Sequence, residues 1–345
     1  MIRPTIRVVQ FGLGAIGVDI ARLVAQQPGL ELVGGIDLDE RKIGADLGEL
    51  IGLPQRMGVH VRGEAEAVLR RAAPDVVVIA TTSLLRELLP QVRTCLAARA
   101  HVISTCEELI YPLTDYPNSA ASLDAAAREA GRSVLGVGAN PGFVMDLLPI
   151  FLTGPSSDVQ KVSVTRATDA GTYRWTLQQR LGVGLERAAF RGWTRQEHTP
   201  HVGLRHSLHM IAAALGWRLD RVHEGIAPII TEQWVETPYV CAAPGQVAGI
   251  HQWAHGEVEG RPVIELEWRT AIGLQETYDA IRIEGVPPID MLIHGGIHGD
   301  RATATLITHA IPAVVRAEAG LRTVLDLPIA HFQVLSRPQP EPSAA

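Results

Sequence analysis

Three glycines, Gly12, Gly14 and Gly17, stand at the spacing G-x-G-x-x-G directly after an apolar run that begins at Ile6. In a strand–turn–helix unit each has its own work. Gly12 permits the tight turn, Gly14 lets the backbone approach a pyrophosphate, and Gly17 lets the helix pack close to the strand. The helix N-terminus adds amide donors, those of Ala15 and Ile16 among them, and the positive end of a dipole. Asp37 follows twenty residues after Gly17, at the end of a second apolar run over 31–36. A carboxylate at that place takes ribose hydroxyls, so the chemistry indicated is dinucleotide binding. A glycine-rich turn with a chance acid downstream would lack the strand before, the helix pattern after and the spacing of the acid.

Strand and helix signals alternate over the first 140 residues, the pattern of a Rossmann-type, doubly wound parallel sheet of the α/β class. Strands are expected at 6–11, 31–36, 58–61, 76–80, 101–104 and 133–137. Helices are expected at 18–27, 64–73, 83–98 and 119–130. Ligands of such sheets sit beyond the carboxyl ends of the strands. Thr81, Thr82 and Ser83 therefore point at cofactor or substrate, as do Thr105, Cys106, Glu107 and Glu108. The stretch GANPG at 138–142, with Asn140 as a cofactor-binding candidate, closes the dinucleotide-binding domain over 1–141.

From Lys161 the pattern changes to polar–apolar alternation, the mark of a sheet with one solvated face. Strands at 162–166, 226–230, 247–251, 263–268 and 278–284 and a helix at 204–215 describe an inserted α+β domain over 142–302. Its open, largely antiparallel mixed sheet is the expected substrate and dimerisation element. A helix over 303–321, ended by Gly320, is expected to return the chain to the first domain by 336, and 337–345 reads as a frayed tail.

At 345 residues the chain can bury two cores. Hydrophobic residues make up 46% and charged ones 20%, and the net charge of −6 recruits neither nucleic acid nor an anionic membrane. No run of about 20 apolar residues suggests a membrane span, and no signal peptide is recognised. Cys95, Cys106 and Cys241 are odd in number and lack C-x-x-C spacing, which favours a reducing cytoplasm over a disulfide framework.

The segments STCEEL at 104–109 and GANPGFVMD at 138–146 resemble the 2,4-diaminopentanoate dehydrogenase and native amine dehydrogenase family, relatives of dihydrodipicolinate reductase. GQVAGIHQ at 245–252 and THAIP at 308–312 support the resemblance, which covers most of the chain in patches. The His-His pair, the lysine and the D-A-P-S-G-T-type loop of dihydrodipicolinate reductases are missing, which disfavours a diaminopimelate-pathway role. The resemblance implies reversible interconversion of an amine with a ketone or aldehyde plus ammonia, using NAD or NADP. It also implies a carboxylate of the STCEEL segment as the acid/base group. Glu108 is favoured and Glu107 is the fallback, because side chains alternate in an extended segment and both should not face one pocket. Solvated loop acids, or caps of the following helix, are the plain alternative for the pair.

Such a carboxylate can bind ammonium, take its proton so that ammonia attacks the carbonyl, and later assist loss of water from the carbinolamine. Phe143, Met145, Arg166, Thr168, Tyr173 and Trp175 are the substrate-pocket candidates. Tyr173 and Trp175 fit ordinary packing equally well, and Arg166 a structural ion pair. Asp37 favours NAD, whereas Arg41 and Lys42 can neutralise a 2′-phosphate, so both cofactors are expected to bind. His198, His201, His206 and His209 cluster without an H-E-x-x-H pattern, and no metal is expected. Two other readings stay open: an oxidoreductase on another small carbonyl or amino acid, and a nucleotide sensor without turnover. A homodimer is the default assembly.

Overall fold

A computed structural model describes residues 5–195 and 201–332. The expected tail and His198 lie outside the described residues. The chain divides into two compact units: residues up to Gly138 together with those from Arg301 onward, and Ala139–Asp300.

The first unit runs β1 (Ile6–Phe11), α1 (Ala15–Gln26), β2 (Leu30–Ile36), α2 (Leu47–Leu50), β3 (Val61–Arg62), α3 (Ala65–Ala72), β4 (Val76–Ile79), α4 (Leu85–Ala97), β5 (His101–Ser104), α5 (Pro117–Ala130) and β6 (Ser133–Gly136). Every residue of β4, β5 and β6 is buried, as continuous apolar runs require in a sheet covered on both faces. α5 starts at Pro117, whose missing amide hydrogen costs nothing in a first turn, and ends on Gly131 in the left-handed region.

The second unit adds α6 (Leu147–Leu152), β7 (Asp158–Asp169), α7 (Trp175–Gln179), α8 (Arg187–Arg195), α9 (Leu204–Ala214), β8 (Arg221–Ile230), β9 (Val235–Glu236), β10 (Cys241–Ala242), β11 (Val247–Val258), β12 (Arg261–Ala271), β13 (Tyr278–Val286) and β14 (Ile289–His294). α10 (Gly299–Val314) then carries the chain out of this unit, and β15 (Gly320–Arg322) follows in the first.

The first unit's sheet has the order β15-β6-β5-β4-β1-β2-β3, all parallel. Its strand order reverses between β1 and β4, the switch point where such sheets bind ligands. The second sheet, β14-β13-β7-β12-β11-β8, is antiparallel except for the parallel β7–β12 pair. Leu204, Leu208 and Ile211 of α9 share a core with its strands. The mixed sheet is thus as expected, with β7, β8 and β11 longer than their apolar alternation suggested.

The strand expected at 58–61 is reduced to β3, and a second expectation fails at the C-terminal end. The helix does not reach 321: α10 stops at Val314, and Gly320 opens β15 instead. Local propensity favoured helix here. Pairing with β6 prevails, because Gly320, Leu321 and Arg322 complete the ladder along Ser133–Leu135. Gly320 has φ +131°, and a Cβ there would lie 2.5 Å from Asp124 Oδ1, so it serves the strand entry and not a helix cap.

Candidate functional site

β1 delivers the glycine turn to the switch point. Gly12 has φ +89°, and a Cβ on it would lie 2.7 Å from the Ala80 carbonyl oxygen. A Cβ on Gly17 would lie 2.0 Å from the Gly12 carbonyl oxygen. Both positions therefore exclude any side chain. Gly14 is different: no atom lies within 4 Å of the place its Cβ would take. It is the N-cap of α1, with no side chain bonded to the cap and no acid in the first turn. Gly14 and Ala15 are exposed and Ile16 is half-buried. Open space before uncapped helical amides is the cradle a pyrophosphate needs, so these residues fit NAD or NADP. Gln10, buried within β1, donates from Nε2 to the Gly12 carbonyl at 2.9 Å and braces the turn. Its mark in the sequence is a polar residue set inside the apolar run VVQF.

Asp37 accepts from the Leu13 amide at 2.7 Å, from the Asp39 amide at 2.8 Å and from Lys42 Nζ at 3.2 Å. Partial burial pushes its carboxyl up, but these bonds outweigh it and hold Asp37 below the usual carboxylate range. The acid is thus ionised and tied to the glycine turn. Arg41 lies outside that cluster, in a two-pronged bond to Asp39.

At the ends of β4 and β5 the structure corrects a premise. Glu107–Leu109 is one turn of 3₁₀ helix, not an extended segment, so alternation of side chains cannot choose between the two acids. Their bonds distinguish them instead. Glu108 is 8% exposed, takes the Leu85 amide at 2.6 Å on Oε2 and the Tyr116 hydroxyl at 2.7 Å on Oε1. It therefore satisfies an orphan amide at the start of α4, a capping task. Burial, then the adjoining Glu108 carboxylate, push the Tyr116 phenol up to about 12. Glu107 is half-buried and accepts from Ser83 Oγ at 3.0 Å. Tyr116, which sits on the N-terminal side of α5, had no sequence signal linking it to Glu108.

The remaining strand-end candidates bond to neighbouring groups of the first unit. Thr81 Oγ1 donates to Gln91 Oε1 at 2.8 Å, and Thr82 Oγ1 to Glu87 Oε2 at 2.6 Å. The Thr105 amide donates to the Ile79 carbonyl at 3.1 Å, holding the acidic turn against β4. Cys106 is fully buried, and burial pushes its thiol up to about 12, so it is no nucleophile.

In the second unit, strand register builds a polar row on the buried face of the sheet. Gln252 of β11 lies opposite Trp268 of β12, Trp268 opposite Arg166 of β7, and Arg166 opposite Asp279 of β13. The next row on that face, Ala254, Leu266, Val164 and Ile281, is wholly apolar and buried. Arg166 is 2% and Asp279 0% exposed; their contact is 3.1 Å, and Arg166 also donates to the Ile297 carbonyl. Tyr173 stacks on His298 at 4.4 Å and accepts from the Gly299 amide at 2.9 Å. Gln252 Oε1, Trp268 Nε1 and Thr270 Oγ1 are buried without a protein partner, and so is Asn140 Oδ1. Buried groups of this kind pair with ordered water, an ion or a ligand. Thr270 lies opposite Thr168, also buried. Arg166, Thr168 and Tyr173, named from the sequence as pocket candidates, lie in or beside these rows, with Arg166 in the ion pair that was its alternative; Gln252, Trp268, Thr270 and Asp279 join them through strand register. Met145 lies inside the hydrophobic core, Phe143 is packed against it, and Trp175 is 48% exposed. Asn140 belongs to this unit, and its carbonyl is bonded to His201 Nε2 at 2.9 Å. Among the described residues no group of three or more His, Cys, Asp or Glu is placed to hold a metal ion.

The buried pair makes a stability prediction. Arg166→Ala strands the Asp279 carboxylate, which costs about 3–5 kcal/mol and lowers the urea midpoint. Burial pushes Asp279 up, and Arg166 is the opposing influence. The folded-state pKa already lies above the unfolded one, and without the arginine it rises further. The penalty is then full at high pH and shrinks as acid protonates Asp279. Urea titrations at pH 8 and pH 5 check it; equal losses at both would be the contrary result.

Residues 143–337 match the family described as the 2,4-diaminopentanoate dehydrogenase C-terminal domain, and residues 6–106 the dihydrodipicolinate reductase N-terminus. The chain is 33% identical over 333 residues to 2,4-diaminopentanoate dehydrogenase of Acetoanaerobium sticklandii, covering 94% of each chain. The chain belongs to the 2,4-diaminopentanoate dehydrogenase family. It is also 28% identical over 351 residues to an amine dehydrogenase of Streptomyces virginiae, covering 94% of this chain and 96% of that one. The amine dehydrogenase of Mycobacterium smegmatis superposes with a TM-score of 0.86 at 28% identity, over 95% of this chain and 97% of that one. The N-terminal match spans β1 to β5 of the glycine-turn sheet, and the C-terminal match spans the mixed sheet together with α10 and β15.

Proposed function

We propose that the protein interconverts an amine with a ketone or aldehyde plus ammonia, using NAD or NADP, and that Glu107 is its acid/base group. The observation that carries this is a carboxylate pair at the carboxyl end of β5, in a dinucleotide-type sheet, within a chain of the 2,4-diaminopentanoate dehydrogenase family. Glu107 is preferred because both Glu108 oxygens already hold the Leu85 amide and the Tyr116 hydroxyl.

The nicotinamide, when bound, supplies or accepts the hydride. Glu107 binds ammonium and takes its proton, leaving neutral ammonia to attack the carbonyl carbon. As the carbinolamine loses water, the protonated Glu107 returns that proton to the departing oxygen. In the oxidative direction the carboxylate removes a proton from water as it adds to the iminium. Ser83 Oγ, donating at 3.0 Å, orients the carboxylate throughout. Glu108 fixes the turn that presents it.

The 33% identity to 2,4-diaminopentanoate dehydrogenase supports a substrate of the 2,4-diaminopentanoate kind over a purely apolar amine. A homodimer is supported by the sheet face opposite α9, where Trp253 and His251 remain half-buried beside Glu267. A cytoplasmic location is supported by three unpaired cysteines; among the described residues no helix is long and apolar enough to cross a membrane.

Reduced-nicotinamide absorbance tests the reading. With ketone and reduced cofactor, consumption is expected only when ammonium is added. Consumption without ammonium would mean a carbonyl reductase, and tight binding without consumption a sensor.

A further inference from the structure

We propose that Asp39 sets cofactor selectivity: it acts as an internal counter-ion that occupies the cations a 2′-phosphate would otherwise use. The inference rests on reading the first unit as an NAD(P) site.

Five charged residues follow β2 within six positions: Asp37, Asp39, Glu40, Arg41 and Lys42, and Glu40 is exposed. Lys42 Nζ lies 3.2 Å from the same Asp37 oxygen that accepts the Leu13 amide, and 3.6 Å from Asp39. Any group bound at Asp37 therefore sits beside Lys42. Arg41 is engaged by Asp39 through both prongs of its guanidinium, Nε at 2.9 Å and the terminal nitrogen at 2.8 Å, and its backbone amide adds a third bond at 3.1 Å. The Arg41 side chain is 89% exposed, so no packing holds it there. The Arg41 bonds hold the Asp39 carboxyl far below its ordinary range.

The four groups bonded to one another sum to zero, two carboxylates against two cations, and the exposed Glu40 beside them adds a further negative charge. A ribose 2′-hydroxyl adds no charge and needs only the Asp37 carboxylate. A 2′-phosphate adds close to two negative charges. It must either draw the Arg41 fork from a two-pronged carboxylate bond, among the stronger contacts a guanidinium makes, or accept repulsion from Asp39. The structure thus holds a positive clamp suited to phosphate and a carboxylate that keeps it closed. Sequence spacing shows the arginine and lysine; only the geometry shows that their charge is already matched.

The test uses the full-length protein and two fragments of the cofactor, 2′,5′-ADP and 5′-AMP, titrated calorimetrically. Asp39→Asn keeps the size of the side chain and removes its charge. Affinity for 2′,5′-ADP is expected to rise about tenfold, with less than about a twofold change for 5′-AMP. Raising the salt concentration shrinks the gain, because the cluster is exposed. In Asp39→Asn with Arg41→Ala the gain disappears. An unchanged 2′,5′-ADP affinity with 5′-AMP still bound overturns the selectivity role and leaves the nucleotide site standing. Equal gains for both fragments, or a gain that survives loss of Arg41, also overturn it. Failure of the wild type to bind either fragment removes the nucleotide site and this proposal together.

Discussion

Glu107→Gln lowers kcat for reductive amination by about a thousandfold, within the range that a positioned acid/base group contributes. Affinity for reduced cofactor changes little, since the amide is nearly the same size and can still bond Ser83 Oγ, which is 3.0 Å away in the parent. The defect is in proton transfer. The amide cannot take a proton from ammonium, so the residual rate should climb with pH as free ammonia becomes available without help. Glu108→Gln behaves differently. Its amide can still accept one of the two bonds now made to Leu85 and Tyr116, but a buried site 8% exposed must reorganise the other. The expected result is a loss of about 1–3 kcal/mol in stability, with kcat reduced far less than in Glu107→Gln. Stopped-flow turnover, cofactor titration and urea unfolding on both variants decide the matter. If Glu108→Gln loses the chemistry while Glu107→Gln keeps it, the roles are reversed.

Gly14→Ala separates nucleotide binding from folding. The backbone at Gly14 has φ −66° and ψ −174°, which alanine adopts without strain, and its Cβ would meet no protein atom within 4 Å. The thermal midpoint should therefore stay within about 2 °C of the parent. The added methyl nevertheless projects before the α1 amides, where a pyrophosphate would have to approach. Affinity for reduced cofactor is expected to fall about a hundredfold, since both the close approach and the amide bonds are lost. Gly12→Ala and Gly17→Ala should instead fail as folds, because their Cβ atoms would overlap backbone oxygens at 2.7 Å and 2.0 Å. Fluorescence titration of reduced cofactor and a thermal melt on the three variants give the comparison. A Gly14→Ala protein that binds cofactor as the parent does would remove the pyrophosphate from this turn.

The alternative readings of the sequence part company at the acidic pair. A plain carbonyl reductase needs no group to deprotonate ammonium, and a sensor needs no acid/base group at all. The family match and the chemistry of a half-buried carboxylate held by Ser83 both support the amine reading.

The amino-acid sequence by itself determined the alternation of strands and helices in the first unit, the glycine turn, the carboxylate after β2 and the acidic pair after β5. These are local features. A period of two or of 3.6 residues, a glycine that must be a glycine and a motif's spacing are properties of neighbours along the chain. Tertiary structure decided what depends on partners distant in sequence. β15 exists because β6 offered an open edge, against a local pattern that read as helix. Glu107 and Glu108 differ in their bonding because the Leu85 amide and the Tyr116 hydroxyl, 23 and 8 residues away, converge on Glu108. The polar row of the second unit forms because strand register sets Gln252, Trp268, Arg166 and Asp279 side by side from four separate strands. Register and long-range bonds are settled by burial and by the need to satisfy buried polar groups, and neither has a signature within a short window of sequence.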